Sequence, residues 1–155
     1  MPSDEGAVHV AESDREIEAC FPVIQTLRPH VEASTFGERV RRQGQAGYRL
    51  AYRSRDGRPV AVAGFRIGAN LAWGRFLYVD DLVTLPSERS AGHGAALLAW
   101  LADHARAAGC AELHLDSGIQ REAAHRFYRR EGLEVSSYHF GRSLGTGVTG
   151  ASPGE

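Results

Sequence analysis

A predicted strand over 76–85 leads through a short turn into a predicted helix that begins near Ala95. The turn reads R-S-A-G-H-G, with Arg89 first and Gly94 last. The free backbone amides at the start of a helix carry a partial positive charge and bind anions. Gly92 and Gly94 place no side chain where an anion must approach the backbone, and Arg89 adds a cation. The turn therefore predicts an anion site, and phosphate is the anion that best suits it.

Two familiar phosphate sites do not fit this turn. A Walker loop requires Gly-Lys-Ser/Thr, and all 18 basic residues of the chain are Arg. A dinucleotide-binding fingerprint requires Gly or Ala three residues after Gly94, where Leu97 stands. A tight turn that only packs the helix against the strand remains the alternative interpretation of the two glycines.

The order of predicted elements indicates the fold class. In chain order they are a strand over 8–10, a helix that starts after Ser13 and breaks near Pro22, a helix from a Thr35 cap to about 43, strands over 48–53, 59–67 and 76–85, a helix over about 95–108, a strand over 111–116, a helix over about 121–130, and one strand or two short ones over 135–144. Hairpin strands come first and helix-separated strands follow. This order predicts an α/β (α+β) fold, a mixed sheet with helices on both faces.

Two of these helices carry local signals. Ser13 and Glu16 have the spacing of a capping box at a helix start. Apolar residues recur at helical spacing in the later helix. That stripe consists of Leu97, Leu98, Leu101 and Ala105.

Composition limits the remaining classes of protein. A chain of 155 residues, 43 % hydrophobic, with net charge -1 suits one domain, which we place at 8–144. We expect a flexible N-terminus over 1–7 and a disordered Gly/Ser/Thr-rich tail over 145–155. The two distant cysteines and the lack of a third ligand beside His114 and Asp116 predict no disulfide framework and no metal. The net charge gives no reason to expect binding to nucleic acid. Neither a membrane span nor a signal peptide is found, so we expect a cytoplasmic protein. We also expect the protein to be bacterial.

The turn and a later helix together resemble the GCN5-related N-acetyltransferase (GNAT) family. The family signature Q/R-x-x-G-x-G/A matches Arg89 to Gly94, and a second signature, a helix ending in Tyr before Gly, matches Tyr128 and Gly132. The resemblance covers about 8–144. It implies a mostly antiparallel six- to seven-stranded mixed sheet with one splayed pair of parallel strands. It also implies an acyltransferase that uses acetyl-CoA as cosubstrate.

The resemblance assigns cofactor and catalytic positions. Pantetheine would pair with Val83, Thr84 and Leu85. The residues implied at the pyrophosphate are Arg89, Ser90, Ala91, Gly92, His93, Gly94 and Ala95. Tyr128 would be the general acid that protonates the leaving thiolate. The sequence departs from the family at His93, usually Ile, Val or Leu, and at Arg121, often Asn.

Asp80 and Asp81 precede the pantetheine strand and are the candidate amine site. The run around them resembles the polyamine and thialysine acetyltransferase branch, where an acidic pair recognises or deprotonates the amine. Because neighbouring strand residues face opposite sides, we expect the two aspartates to be inequivalent. The alternative is a structural pairing with Arg66 or Arg75 across strands.

We therefore expect direct acyl transfer from acetyl-CoA to the primary amine of a small molecule. The alternatives are a protein, peptide or aminoglycoside acceptor, or a non-catalytic acyl-CoA sensor on the same fold. The expected partner is the small-molecule amine, without nucleic acid or membrane, and a homodimer is left open.

Overall fold

A computed structural model describes residues 6–145 of the chain, which divides into two compact units, 1–115 and 116–155. The elements of the first unit are β1 (Val8–Val10), α1 (Asp14–Ala19), α2 (Phe21–Leu27), α3 (Ala33–Gly44), β2 (Arg49–Arg55), β3 (Arg58–Asn70), β4 (Gly74–Thr84), a short 3-10 helix (Pro86–Glu88), α4 (His93–Ala107) and β5 (Glu112–Leu115). In the described part of the second unit, α5 spans Glu122–Arg130.

The five strands form one mixed sheet in chain order, from β1 to β5. Neighbours are antiparallel except β4 and β5, which run parallel with Phe76–Val79 opposite Glu112–Leu115. β5 ends at Leu115, whereas β4 continues to Thr84. The predicted α/β fold class is confirmed, with five strands in residues 6–145 rather than six or seven.

Helices cover both faces of this sheet. Val62 of β3 belongs to the buried core formed with α1, α2 and α3. Phe65 of the same strand contacts the ring of Trp100 in α4, with 5.8 Å between ring centroids. The predicted apolar stripe of α4 is buried throughout, because it is the side of that helix that packs on the strands.

Local signals set the first two helices. The Glu16 amide donates to Ser13 Oγ at 3.1 Å and the Ser13 amide donates to Glu16 Oε1 at 3.2 Å, so the predicted capping box is confirmed. The helix breaks at Cys20, and Pro22 lies in the first turn of α2, where a missing amide leaves no hydrogen bond unmade.

The predicted Thr35 cap is wrong. α3 begins at Ala33 with Glu32 as its N-cap, one turn earlier than the Thr-x-x-Glu spacing suggests. Thr35 Oγ1 instead donates to the Glu32 carbonyl at 3.4 Å. A hydroxyl inside the first turn has this acceptor within reach, so the spacing alone does not define a cap.

The predicted final strand over 135–144 is also wrong, because these residues form neither helix nor strand. Large apolar side chains stay exposed there: Val135 at 72 %, Tyr138 at 83 %, Phe140 at 91 % and Leu144 at 76 %. An apolar pattern becomes a strand only where another strand accepts and donates its backbone hydrogen bonds.

The predicted flexible N-terminus and disordered tail fall almost wholly on residues 1–5 and 146–155, which lie outside the described residues. The single domain over 8–144 stays a prediction. Within residues 6–145, every helix is too short or too polar to cross a bilayer.

Candidate active site

The predicted anion turn is a helix N-terminus without a side-chain cap. Ser90 and Gly92 have φ of 67° and 84°, and α4 begins directly after Gly92. The Ala96 amide donates to the Gly92 carbonyl at 3.1 Å, which closes the first turn. The amides before Ala96 have no intrahelical acceptor, so they are available to an anion.

Gly92 is required here for its backbone conformation. A Cβ built on this residue meets no heavy atom within 4 Å, so space is not the constraint. The constraint is the left-handed φ of 84°, since residues other than glycine rarely adopt this backbone conformation.

Three side chains fix the start of α4. Arg55 Nη1 donates to Glu88 Oε1 at 3.1 Å, and His93 Nε2 lies 3.3 Å from the same oxygen. The hydrogen bond from Arg55 is the main cause that lowers the pKa of Glu88. The His93 side chain is only 11 % exposed, and its Nδ1 has no partner within residues 6–145. Glu88 thus links His93, the first residue of α4, to Arg55 of β2.

Val83, Thr84 and Leu85 lie on the part of β4 that extends past β5. Val83 and Thr84 pair with Val62 and Ala61 of β3, and the Leu85 amide donates to Val60 at 2.8 Å. The pairing of β4 with β5 stops at Val79. The strand edge that the resemblance assigns to pantetheine is therefore free of β5.

The acidic pair lies on a β-bulge. Gly64 of β3 pairs with Asp81, and the next residue, Phe65, pairs with Val79, so Asp80 is the extra residue. A bulge breaks the alternation of side chains and redirects the extra one. The bulge therefore removes the regular alternation on which the expected difference in side between Asp80 and Asp81 rested.

Asp81 is held on both carboxylate oxygens. Arg28 Nε donates to Oδ1 at 3.0 Å and the Tyr48 hydroxyl donates to Oδ2 at 2.6 Å, and the Asp81 side chain is 14 % exposed. Burial, and then the charge of Asp81, raise the pKa of Tyr48, which keeps this hydroxyl a donor. A Cβ on Gly64 would lie 2.6 Å from Tyr48 Cζ and 2.7 Å from Asp81 Oδ2, so only glycine fits there.

Asp80 is more exposed and has one side-chain partner in the described residues. Arg66 Nε donates to Asp80 Oδ2 at 2.9 Å, and the Asp80 side chain is 27 % exposed. Burial raises the pKa of Asp80 and Asp81 adds to this, while Arg66 and Arg28 oppose it. Of the two expected structural partners, Arg66 is the one observed, and Arg75 Nε donates instead to the Ala108 carbonyl.

These contacts join into one acid–arginine cluster. The Arg66 guanidinium lies over the Tyr48 ring, 5.5 Å from its centroid, and Arg28 also donates to the Asp80 carbonyl at 3.1 Å. The cluster consists of Arg28, Tyr48, Arg66, Asp80 and Asp81.

Tyr128 lies in the second unit, near the end of α5. Burial raises the pKa of its hydroxyl, and the charge of Arg121 opposes that rise. A raised pKa keeps the hydroxyl protonated at neutral pH, as a proton donor requires. Its carbonyl accepts from the Leu133 amide at 3.0 Å, beyond a Gly132 with φ of 90° that ends the helix as predicted.

Sequence reasoning missed three members of this site. Arg28 lies far from Asp81 in sequence, directly after α2, and no local pattern joins them. The sequence predicts Tyr48 as the first residue of a strand, and this position gives no sign of its contact with Asp81. Gly64 lies among small residues of β3. A glycine inside a strand is the one local signal that another group approaches the backbone closely there.

Known proteins are similar to this chain in sequence and in fold. Residues 14–133 match the Acetyltransferase (GNAT) family. The chain is 32 % identical over 130 residues to an uncharacterized N-acetyltransferase of Bacillus subtilis, covering 83 % of this chain and 92 % of that one. It is 37 % identical over 98 residues to an aminoalkylphosphonate N-acetyltransferase of Salmonella typhimurium, covering 63 % of this chain and 62 % of that protein.

Solved structures agree at the level of the fold. A putative acetyltransferase from Agrobacterium tumefaciens superposes with a TM-score of 0.75 at 22 % identity, covering 89 % of this chain and 99 % of that one. An aminoglycoside N-acetyltransferase in complex with CoA superposes with a TM-score of 0.71 at 17 % identity, covering 88 % of this chain and 98 % of that one. Since the family match spans most of the sequence, the chain belongs to the GNAT family and is an acyltransferase of the N-acetyltransferase type.

Proposed function

We propose that the enzyme transfers the acetyl group of acetyl-CoA to the primary amine of a small molecule. The observation that carries this proposal is the acid–arginine cluster on the β4 bulge, directly before the strand residues expected to hold pantetheine. The relative from Salmonella typhimurium is named for a small amine, an aminoalkylphosphonate, which supports the same acceptor class. The likeness to the polyamine and thialysine branch stays a prediction.

The described residues fit acetyl-CoA. The uncapped amides of α4 suit the pyrophosphate, with Arg89 as the neighbouring cation. The edge of β4 at Val83–Leu85, which β5 does not pair with, suits the amide groups of the pantetheine arm. When bound, acetyl-CoA supplies the thioester carbon that the amine attacks.

Asp80 is the better candidate for the proton acceptor. An aliphatic ammonium has a pKa of about 10, so it must lose a proton before it can attack. Asp81 already accepts two hydrogen bonds at 14 % exposure, whereas Asp80 is 27 % exposed and its pKa is raised toward the working range of a base. Asp81 then acts as the fixed charge that positions the bulge.

Tyr128 is the proposed proton donor to the leaving thiolate. Its raised pKa keeps the hydroxyl protonated at neutral pH, so a proton is present there to be donated to the sulfur as the C–S bond breaks.

A thiol-release assay with acetyl-CoA and a panel of primary amines tests the acceptor site. We expect Asp80→Asn to lower kcat/KM by roughly 10²–10³-fold, within the range of general-base loss, because the amide cannot take the proton. We expect Asp81→Asn to lower the melting temperature more than Asp80→Asn does, since Asp81 accepts hydrogen bonds from two side chains, half-buried Arg28 and buried Tyr48.

Asp103→Asn is the matched control, because Asp103 is a surface residue of α4 with its side chain 81 % exposed. If folded Asp80→Asn turns over amines within about threefold of the unchanged enzyme, the acidic pair is not the amine site.

A further inference from the structure

The acid–arginine cluster is electrically balanced. Asp80 pairs with Arg66 and Asp81 pairs with Arg28, at 2.9 and 3.0 Å. An ammonium that approaches Asp80 therefore meets a guanidinium as well as a carboxylate, and the two fields largely cancel at a distance. A polycation gains little binding free energy at such a site. A molecule with one positive and one negative group can bind both the carboxylate of Asp80 and the guanidinium of Arg66.

The Arg66 guanidinium has N–H donors that make no hydrogen bond within residues 6–145. Its one hydrogen bond within residues 6–145 runs from Nε to Asp80 Oδ2, and its plane lies over the Tyr48 ring. An arginine side chain carries five N–H donors in a rigid fork, so its terminal Nη groups keep their donors. The side chain is 36 % exposed, and its Nη atoms are not among the buried polar atoms that lack a partner within residues 6–145, so solvent and a ligand can reach them.

Two contacts hold this fork before any ligand arrives. Asp80 fixes the Nε side, and the buried Tyr48 ring supports the face of the guanidinium. A side chain already ordered loses less conformational entropy on binding, so each hydrogen bond it makes to an anion contributes more to affinity.

We propose, on the basis of the proposed function, that the acceptor is a small zwitterion. Its anionic group, a phosphonate or a carboxylate, binds the Nη edge of Arg66, and its ammonium group lies at Asp80. Because Arg66 and Asp80 are in direct contact, the two charges of the acceptor are separated by a short carbon chain. Arg66 is then the specificity-determining residue of the acceptor site.

A purely structural role for Arg66 predicts a different result. If Arg66 only neutralises Asp80, its removal lowers the turnover of every amine alike. If it binds the anion of the acceptor, its removal changes the ratio between zwitterionic and simple amines. The ratio of kcat/KM values is therefore the measurement that separates the two roles.

The experiment measures kcat/KM for four acceptors: 2-aminoethylphosphonate, β-alanine, propylamine and 1,4-diaminobutane. We expect the unchanged enzyme to prefer at least one zwitterion over propylamine by roughly 10- to 100-fold, the range for charge-assisted hydrogen bonds. Arg66→Gln should reduce that ratio to within about threefold of one, and Arg66→Lys should retain part of it, because the charge remains while the fork is lost. The two zwitterions separately report whether phosphonate or carboxylate is preferred.

Arg58→Gln is the matched control, since Arg58 is an exposed residue at the other end of β3 and its removal should leave the ratio unchanged. Efficient use of propylamine or diaminobutane with no preference for a zwitterion would overturn this inference and leave the proposed function standing. Failure of all four amines would overturn both. An equal loss for all acceptors in Arg66→Gln and Arg66→Lys would assign Arg66 a structural role.

Discussion

At the scale of single residues, Gly64 holds the acid pair in place by having no side chain. Its built Cβ would lie 2.6 Å from Tyr48 Cζ, well inside contact distance. Gly64→Ala should therefore displace the Tyr48 hydroxyl from Asp81, combining overpacking with a lost hydrogen bond to a charged group. We expect the free energy of unfolding to fall by about 2–4 kcal/mol in urea titrations.

Gly44→Ala is the matched glycine substitution. A Cβ there meets Arg49 Nη1 at an ordinary 3.6 Å at the end of α3. We expect it to be neutral or to stabilise the helix by up to about 1 kcal/mol. Equal effects of the two substitutions would contradict the close approach at Gly64.

Tyr128 offers a second test at this scale. Tyr128→Phe keeps the ring and deletes the hydroxyl, so the thiolate leaves without its proton donor. We expect kcat to fall by ~10²–10⁴ with the melting temperature little changed. Tyr138→Phe is the control, because that side chain is 83 % exposed. A fall of less than about threefold would make Tyr128 a structural residue.

At the scale of elements, α1 depends on a carboxylate at its start. The hydrogen bond from Tyr52, 2.7 Å long, is the largest cause that lowers the pKa of Glu16, and the Ser13 amide adds to it. A lowered pKa stabilises the fold fully above the ordinary value of 4.5, and this contribution is lost as pH falls through the folded pKa. Glu16→Gln should therefore lower the unfolding free energy at pH 7 by a few tenths to about 1 kcal/mol, since much of the charge effect is screened by solvent.

The pH dependence is the decisive measurement for Glu16. The difference between the unchanged protein and Glu16→Gln should shrink as pH falls below the ordinary value of 4.5, because the proton removes the charge from the unchanged protein too. Glu18→Gln in the same helix lies outside the capping box and serves as the control. A difference that grows toward acid pH would contradict the lowered pKa.

The start of α4 allows a test of cofactor binding. Gly94→Asp puts a negative charge among the amides that are expected to bind the pyrophosphate. Calorimetry should show CoA affinity reduced by at least about tenfold, given typical energies for charges near a helix terminus and for charge-assisted hydrogen bonds. Ala99→Asp adds the same charge at an exposed position later in this helix and should bind CoA normally. Unchanged affinity in Gly94→Asp would remove the pyrophosphate assignment.

At the scale of the whole molecule, the sequence predicts what short-range patterns control. The α4 stripe follows from helical periodicity, and the mixed sheet with β5 follows from the order of the elements. The bulge at Asp80 does not, because it depends on the register between β3 and β4. The role of Tyr48 depends on contacts between elements far apart in sequence, which no local pattern reports.

The failed prediction of a final strand leads to the last test. Phe140 and Phe65 are both phenylalanines in apolar stretches, yet Phe140 is 91 % exposed and Phe65 is 2 % exposed. Phe65→Ala removes a ring from between β3 and α4 and leaves a cavity, so we expect a loss of about 3–5 kcal/mol in unfolding free energy. Phe140→Ala removes a ring that is already in water, so we expect a change within about 0.5 kcal/mol. If chemical denaturation shows similar losses for the two, the Phe140 side chain is buried, as the strand that the sequence pattern predicts over 135–144 would require.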